Sequence, residues 1–119
     1  MTEQTRRLAY DPQDLERLLV AREHQGDVDG MAALYEPHAV LDAGGGELKH
    51  GREAIRRHLA ALIAAGQKFQ MREQQPVLIC GDLAITSTRL PDGTVTAEVA
   101  RRQTDGTWRW VIDRFSISP

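Results

Sequence analysis

The spacing of apolar and polar positions changes partway along the chain. Up to about residue 66 apolar residues recur at helical spacing, and from Lys68 onward they alternate with polar ones. Leu15, Leu18, Leu19 and Arg22 mark one helix face, apolar down to about Arg22. Asp11 is the expected cap of this helix, Pro12 suits its first position, and Asp14 favours the positive end of the dipole. Gly26 ends it. Asp27 caps a second, short helix whose apolar side is Val28, Met31, Ala32, Leu34 and Tyr35, and Pro37 stops it. His38 to Ala43 reads as a short strand, Gly44-Gly45-Gly46 as a turn, and Glu47 to His50 as a second short strand. A third helix runs from about Arg52 to Ala65, with Ile55, Leu59, Leu62 and Ile63 as its buried stripe and Gly66 as its stop.

The alternating part reads as a meander. Phe69 to Gln75 and Val77 to Cys80 form one long strand, bent at Pro76, since proline cannot donate to a ladder. Gly81-Asp82 turns it into Leu83 to Leu90. Asp92-Gly93 and Asp105-Gly106 each sit between β-rich runs, a strong short-range hairpin signal. If both are two-residue turns, counting gives the register. Gln103 faces Trp108, Arg101 faces Trp110, Val99 faces Ile112, and Glu98 faces Asp113. One sheet face then carries Leu83, Ile85, Ser87, Arg89, Thr96, Glu98, Ala100, Val111, Asp113 and Phe115. The other carries Thr86, Thr88, Ala97, Val99, Arg101, Gln103, Trp108, Trp110, Ile112 and Arg114. Helices segregated from an antiparallel meander predict an α+β domain with the sheet curled over the helices. Residues 1–10 are expected to be a loose arm, and 11–119 a single domain.

Composition narrows the class. A chain of 119 residues is one domain, large enough to bury a core. The hydrophobic fraction of 41% and net charge of −2 fit a globular protein, and no basic run points to nucleic acid. No apolar run approaches the roughly 20 residues of a membrane span. The N-terminal residues lack the apolar core of a secretory signal. Cys80 is the only cysteine, so no internal disulfide forms and a cytoplasmic location is expected. His24, His38, His50 and His58 show no metal-ligand spacing, and the three glycines lack a phosphate loop's Gly-Lys-Ser/Thr ending. No cofactor or metal is expected.

The chemistry lies in the last hairpin. Like charges directly opposite in a sheet are unfavourable, so Glu98 beside Asp113 needs an offset, and a pocket is one place that supplies it. In an apolar site one carboxyl keeps its proton and donates, while the other stays ionised. Ser87 and Arg89 complete a compact polar group on that face, with Phe115 beside them. The alternative is that Arg89, diagonal to Glu98, neutralises the pair in a structural network. Tyr35 is read as core or pocket wall, His58 as a helix-surface residue, and Cys80 as a small buried hydrophobe at a strand end. The opposite face reads as half-wet or dimer-forming, with Arg101 able to stack on Trp110.

Three segments carry a family resemblance: GDVDGMAALYEPHAVL at 26–41, HGREAI at 50–55, and TAEVARRQTDGTWRWVID at 96–113. Together with the element order they resemble the nuclear transport factor 2-like superfamily, in particular its SnoaL-like and ketosteroid-isomerase-like members. The resemblance covers about residues 11–117. It implies a cone-shaped curved antiparallel sheet packed on three N-terminal helices, the cystatin-like roll, enclosing one apolar pocket. It also implies a homodimer through the convex face that bears Trp110, Val99 and Ile112. The fold hosts isomerases, dehydratases, cyclases and non-catalytic binding domains, so it does not by itself give an activity. Glu98 falls near the isomerase's protonated acid. The isomerase's first-helix tyrosine falls on Leu19, and its aspartate base falls on Ala43, next to Asp42. Two expectations follow. One is a small-molecule-binding pocket acting as an acid/base enzyme on an apolar metabolite, with Glu98 and Asp113 catalytic and Ser87, Arg89, Phe115, Tyr35 and Asp42 around the substrate. The other is a non-catalytic ligand-binding or dimerisation module.

Overall fold

The structure, a computed structural model, describes residues 6–117. Its elements in chain order are α1 (Asp14–His24), α2 (Val28–Ala32), β1 (Tyr35–Asp42), β2 (Leu48–His50), α3 (Arg52–Ala64), β3 (Glu73–Gln74), β4 (Leu78–Cys80), β5 (Leu83–Thr86), β6 (Thr88–Arg89), β7 (Ala97–Arg102) and β8 (Trp108–Arg114). Six strands make one curved sheet in the order β2-β1-β8-β7-β5-β4, and β3 pairs with β6. The pairings are antiparallel except that of β1 with β8, which run parallel. The helices cover one side. The fold is the α+β roll that the sequence predicts.

Local chemistry explains most of the boundaries. Asp27 caps α2 by accepting the Gly30 amide at 3.0 Å, and Gly66, with φ of +87°, follows α3 as its stop. Asp11 does not cap α1 with its side chain. Its carbonyl accepts the Asp14 amide at 3.0 Å, which makes a lead-in turn, and the helix starts at Asp14. Tyr35 starts β1 instead of ending α2, and Pro37 lies inside β1. The register with β8 slips between Tyr35 and Val40, where a residue without an N–H interrupts no regular ladder. Within that stretch the Tyr35 carbonyl is taken by the Arg52 guanidinium, at 2.9 and 2.6 Å.

The long strand expected over 69–80 does not form. Only Glu73–Gln74 and Leu78–Cys80 pair, on either side of Pro76. Residues 67–72 belong to no strand, and side chains of α1 take the Phe69 backbone. The Phe69 amide donates to Glu23 Oε1 at 2.6 Å, and its carbonyl meets His24 Nε2 at 2.8 Å. At the other end Gln13 and Gln74 exchange side-chain bonds with the Gln75 and Gln13 carbonyls. This strap therefore lies along α1.

Of the expected arm, residues 1–5 lie outside the described residues. From Arg6 onward the chain is tied down. Arg6 pairs with Asp27 at 2.9 Å, and the Ala9 carbonyl accepts the Trp108 amide at 2.8 Å. Arg22, on the apolar stripe of α1, is buried because its guanidinium donates to the Gly30 and Arg7 carbonyls. Trp110, Tyr35, Leu15, Met31 and Ile55 form the fully enclosed centre of the core.

Candidate functional site

Both Asp-Gly turns close as three-residue loops. Leu90 pairs with Thr94 around Pro91-Asp92-Gly93, and Gln103 pairs with Thr107 around Thr104-Asp105-Gly106. Gly93 (φ +89°) and Gly106 (φ +87°) take the left-handed position that ends such a loop. Each loop shifts its hairpin by one residue from the two-residue count. In β8 a bulge then restores the count, since Ala100 faces Trp110 but Val99 faces Ile112, leaving Val111 as the extra residue. Glu98 therefore does face Asp113. The same bulge puts Trp108, Trp110 and Asp113 on the inner side, although they are not all of one parity.

The first hairpin has no compensating bulge. Glu98 faces Thr86 instead of Ser87, and Ala84 and Thr88 are buried while Leu83 and Ile85 are exposed. Ser87 is turned to donate to the Thr96 carbonyl at 2.8 Å. Arg89 is exposed, paired in backbone with Glu73 and Val95, and makes no ion pair with Glu98. Asp42 accepts the Gly44 amide at 2.9 Å and faces Arg114 at 3.4 Å. Ser87, Arg89 and Asp42 are thus outside the inner site. Trp108 and Trp110 are core residues, not outer-face residues, and Arg101 pairs with Glu36 at 3.0 Å instead of stacking on Trp110. Cys80 is exposed, because β4 is the edge strand of the sheet.

Between helices and sheet lies a cavity of about 460 Å³. Leu19 on α1, Leu41 on β1, Leu59 and Leu62 on α3, Phe69 on the strap, and Phe115 form its apolar wall. Tyr35, Glu98 and Asp113 line it from the sheet, as the sequence suggested for these residues and for Phe115. Glu16 enters from α1, and His58 from α3, where a surface position was expected. Lys68, Arg72 and Asp92 stand along the more exposed edge.

The polar end has a definite hydrogen-bond order. The Tyr35 hydroxyl donates to Asp113 Oδ2 at 2.7 Å, and the Thr86 hydroxyl donates to Glu98 Oε1 at 2.7 Å. Tyr35 is braced by Trp110, with ring centroids 5.0 Å apart. Among the described residues no Lys, Arg or His forms an ion pair with Glu16, Glu98 or Asp113.

Three carboxyls sharing one largely apolar site, with no cation ion-paired to them, are pushed toward their protonated forms. Burial, then the charge of Glu98, pushes Asp113 up to about 7 against the opposing Tyr35 bond. Burial, then Glu98, likewise pushes Glu16 up to about 7. Burial raises Glu98 too, opposed by the hydroxyls of Thr96 and Thr86. Burial and the neighbouring Asp113 raise the Tyr35 phenol well above its ordinary value, so it remains a donor. Partial burial, then Lys49, lowers His58. The site can therefore offer neutral hydrogen-bond donors and an ionisable carboxyl side by side near pH 7. Glu16 escaped sequence reasoning, although its place three residues before Leu19 on the buried stripe was the available signal.

Residues 15–117 match the SnoaL-like domain family. A search of curated proteins finds no match. Solved structures similar to this chain share its fold. A protein of unknown function with a cystatin-like fold from Nostoc punctiforme aligns over 90% of this chain and 88% of its own, at 15% identity and TM-score 0.68. A ketosteroid isomerase-like protein from Erwinia carotovora atroseptica aligns over 90% of this chain and 94% of its own, at 17% identity and TM-score 0.65. A nuclear transport factor 2-like protein with a cystatin-like fold from Novosphingobium aromaticivorans aligns over 85% and 75%, at 20% identity and TM-score 0.59.

Proposed function

The chain belongs to the SnoaL-like domain family, and we propose that within it this protein binds a small, largely apolar molecule and performs acid/base chemistry on it. The observation that carries this reading is the cluster of Glu98, Asp113 and Tyr35 lining a largely apolar cavity whose cations, Lys68 and Arg72 at its edge, form no ion pair with it. A structural ion pair would have brought Arg89 or another base to the carboxyls. Instead the carboxyls meet only hydroxyls, which leaves them able to hold or release a proton. With Oδ2 of Asp113 accepting from Tyr35, a proton on its other oxygen can be donated to a ligand oxygen. A cavity of about 460 Å³ suits a metabolite of small-molecule size. The reaction class is isomerisation, dehydration or cyclisation.

The first test is carbon-detected NMR titration of the Glu98 and Asp113 carboxyls in the apo protein. At least one should titrate well above the ordinary carboxylate range near 4. If both titrate at ordinary or depressed values, the acid/base reading falls and a non-catalytic binding module remains.

As partner we propose a second copy of the chain, docked on the outer sheet face. That face exposes Leu78, Leu83, Ile85 and Ile112, an apolar set larger than scattered surface hydrophobes. Trp110 is not part of it. Sedimentation should give a dimer that Ile85→Glu dissociates. A monomer at micromolar concentration would remove this proposal. Among the described residues no helix is long and apolar enough to cross a membrane.

A further inference from the structure

We propose that Lys68 and Arg72, the cations of the strap, hold a carboxylate on the bound ligand, which is therefore an organic acid with an apolar body, seated with its charge at the cavity edge. This rests on the small-molecule reading above and names the ligand class that the reading leaves open.

The argument starts from how charge is distributed around the cavity. The carboxyls Glu16, Glu98 and Asp113 come from α1 and the sheet, whereas both basic side chains of the Lys and Arg type come from the strap over 67–72. A cation close to carboxyls is drawn to pair with one. Neither strap cation does. Among the described residues Lys68 has no ion pair or side-chain hydrogen bond, and half-buried Arg72 meets only Gln70, whose Oε1 accepts from Nη1 at 2.8 Å. The rest of the planar guanidinium fork is left without a protein acceptor. The carboxylates at hand do not fill that place. Asp92, at the same edge, accepts the Thr94 amide of its own turn at 2.9 Å, and Glu73, next in sequence to Arg72, forms no ion pair.

The strap is built to present these cations to a ligand. Phe69 packs against the core and lines the cavity, and its backbone is clamped to α1 by Glu23 at 2.6 Å and His24 at 2.8 Å. One segment thus supplies an apolar wall for the ligand's body and cations for its end. The inner carboxyls then decide which way the ligand lies. A carboxylate turned inward would face Glu98 and Asp113 among apolar side chains, where burial already pushes both toward their neutral forms and a further anion is repelled. Turned outward, it meets a guanidinium fork that suits its two oxygens, with a lysine beside it on the same strap.

The test uses the full chain and three probes of one shape, 1-naphthylacetate, 1-naphthylacetamide and 2-(1-naphthyl)ethylamine. Their fused rings suit a cavity of about 460 Å³, and at about pH 7 they are anionic, neutral and cationic. Binding is followed by NMR shift changes at Leu41 and Phe115. Wild type should bind the acid about fivefold or more tightly than the amide, and the amine no more tightly than the amide. Raising the ionic strength to about 1 M, where the Debye length is about 3 Å, should weaken the acid and spare the amide. Arg72→Gln should lower affinity for the acid about fivefold and leave the amide within about twofold, Lys68→Gln should have the smaller effect of the same kind, and Arg72→Lys should recover part of the loss. If the acid and the amide bind wild type alike, if the amine binds best, or if Arg72→Gln weakens acid and amide equally, the carboxylate anchor is overturned and the small-molecule reading survives. If none of the three binds at millimolar concentration, both are overturned.

Discussion

Replacing Asp113 by Asn tests whether the carboxyl cluster is a burden on folding, as a functional site is, or a support for it. Asn has the same shape, and its amide oxygen can still accept from Tyr35. The sign follows from linkage. Below about pH 4 the folded and unfolded chains both keep the proton. Between about 4 and 7 only the unfolded chain releases it, because the folded carboxyl titrates near 7. Each pH unit in that window then lowers stability by about 1.4 kcal/mol. Above 7 both states are ionised and the loss stays constant. The full window would cost about 4 kcal/mol. Asp113 keeps some solvent contact and shares its titration with Glu98 and Glu16, so about 1–3 kcal/mol is the expected share. Urea unfolding, followed by the fluorescence of buried Trp108 and Trp110, reads this directly. Asp113→Asn should match wild type below about pH 4, pull ahead of it as pH rises through 4–7, and exceed it by about 1–3 kcal/mol at pH 8, with an unchanged m value. In melting temperature that is several degrees for a domain of this size. A variant less stable than wild type at pH 8 would mean that the ionised carboxylate is stabilised by the fold, and the reasoning about the cluster would fail.

Glu23→Ala should free the Phe69 amide, whose acceptor at 2.6 Å is lost, at about 1–3 kcal/mol of local stability. Hydrogen exchange at Phe69 should quicken more than at the sheet amides of β7, and equal protection would show that the strap is held by packing alone. Ile55→Ala, at the fully buried centre, should cost about 2–5 kcal/mol in urea unfolding, whereas a loss below 1 would mean that the site collapses around the cavity it leaves. Deleting Val111 removes the bulge and should force either Trp108 and Trp110 or Asp113 out of the interior. Loss of cooperative unfolding is expected, and an intact melting curve would show that the hairpin can re-register without harm.

Helix order and fold class were legible because each helix carries its own punctuation. Asp27 and Gly66 act locally, and local signals survive whatever the rest of the chain does. The long strand over 69–80 was misread because alternation alone cannot tell a laddered strand from a strap that pairs with no strand. What took the Phe69 backbone out of the sheet was Glu23, a residue 46 positions away in sequence. Arg22 fitted the apolar stripe by spacing, but only the carbonyls of Gly30 and Arg7 explain why it is tolerated there.

The site shows more sharply what turn chemistry leaves open. Both Asp-Gly pairs sit in three-residue loops, so both two-residue counts are off by one. In the second hairpin Val111 bulges out and cancels the error before Glu98 and Asp113 are reached, and the carboxyl pair emerges as counted. In the first hairpin nothing cancels it. Ser87 and Arg89 turn away, and Thr86 takes the place beside Glu98. The chemical consequence is larger than the geometric one. With Arg89 beside Glu98 the pair would be a salt-bridged network, with depressed titration and little capacity to move a proton. With the Thr86 and Tyr35 hydroxyls as its partners, the same pair holds a proton near neutral pH. One residue of loop length therefore separates a structural ion pair from a carboxyl pair met only by hydroxyls, the arrangement on which the proposed acid/base role rests.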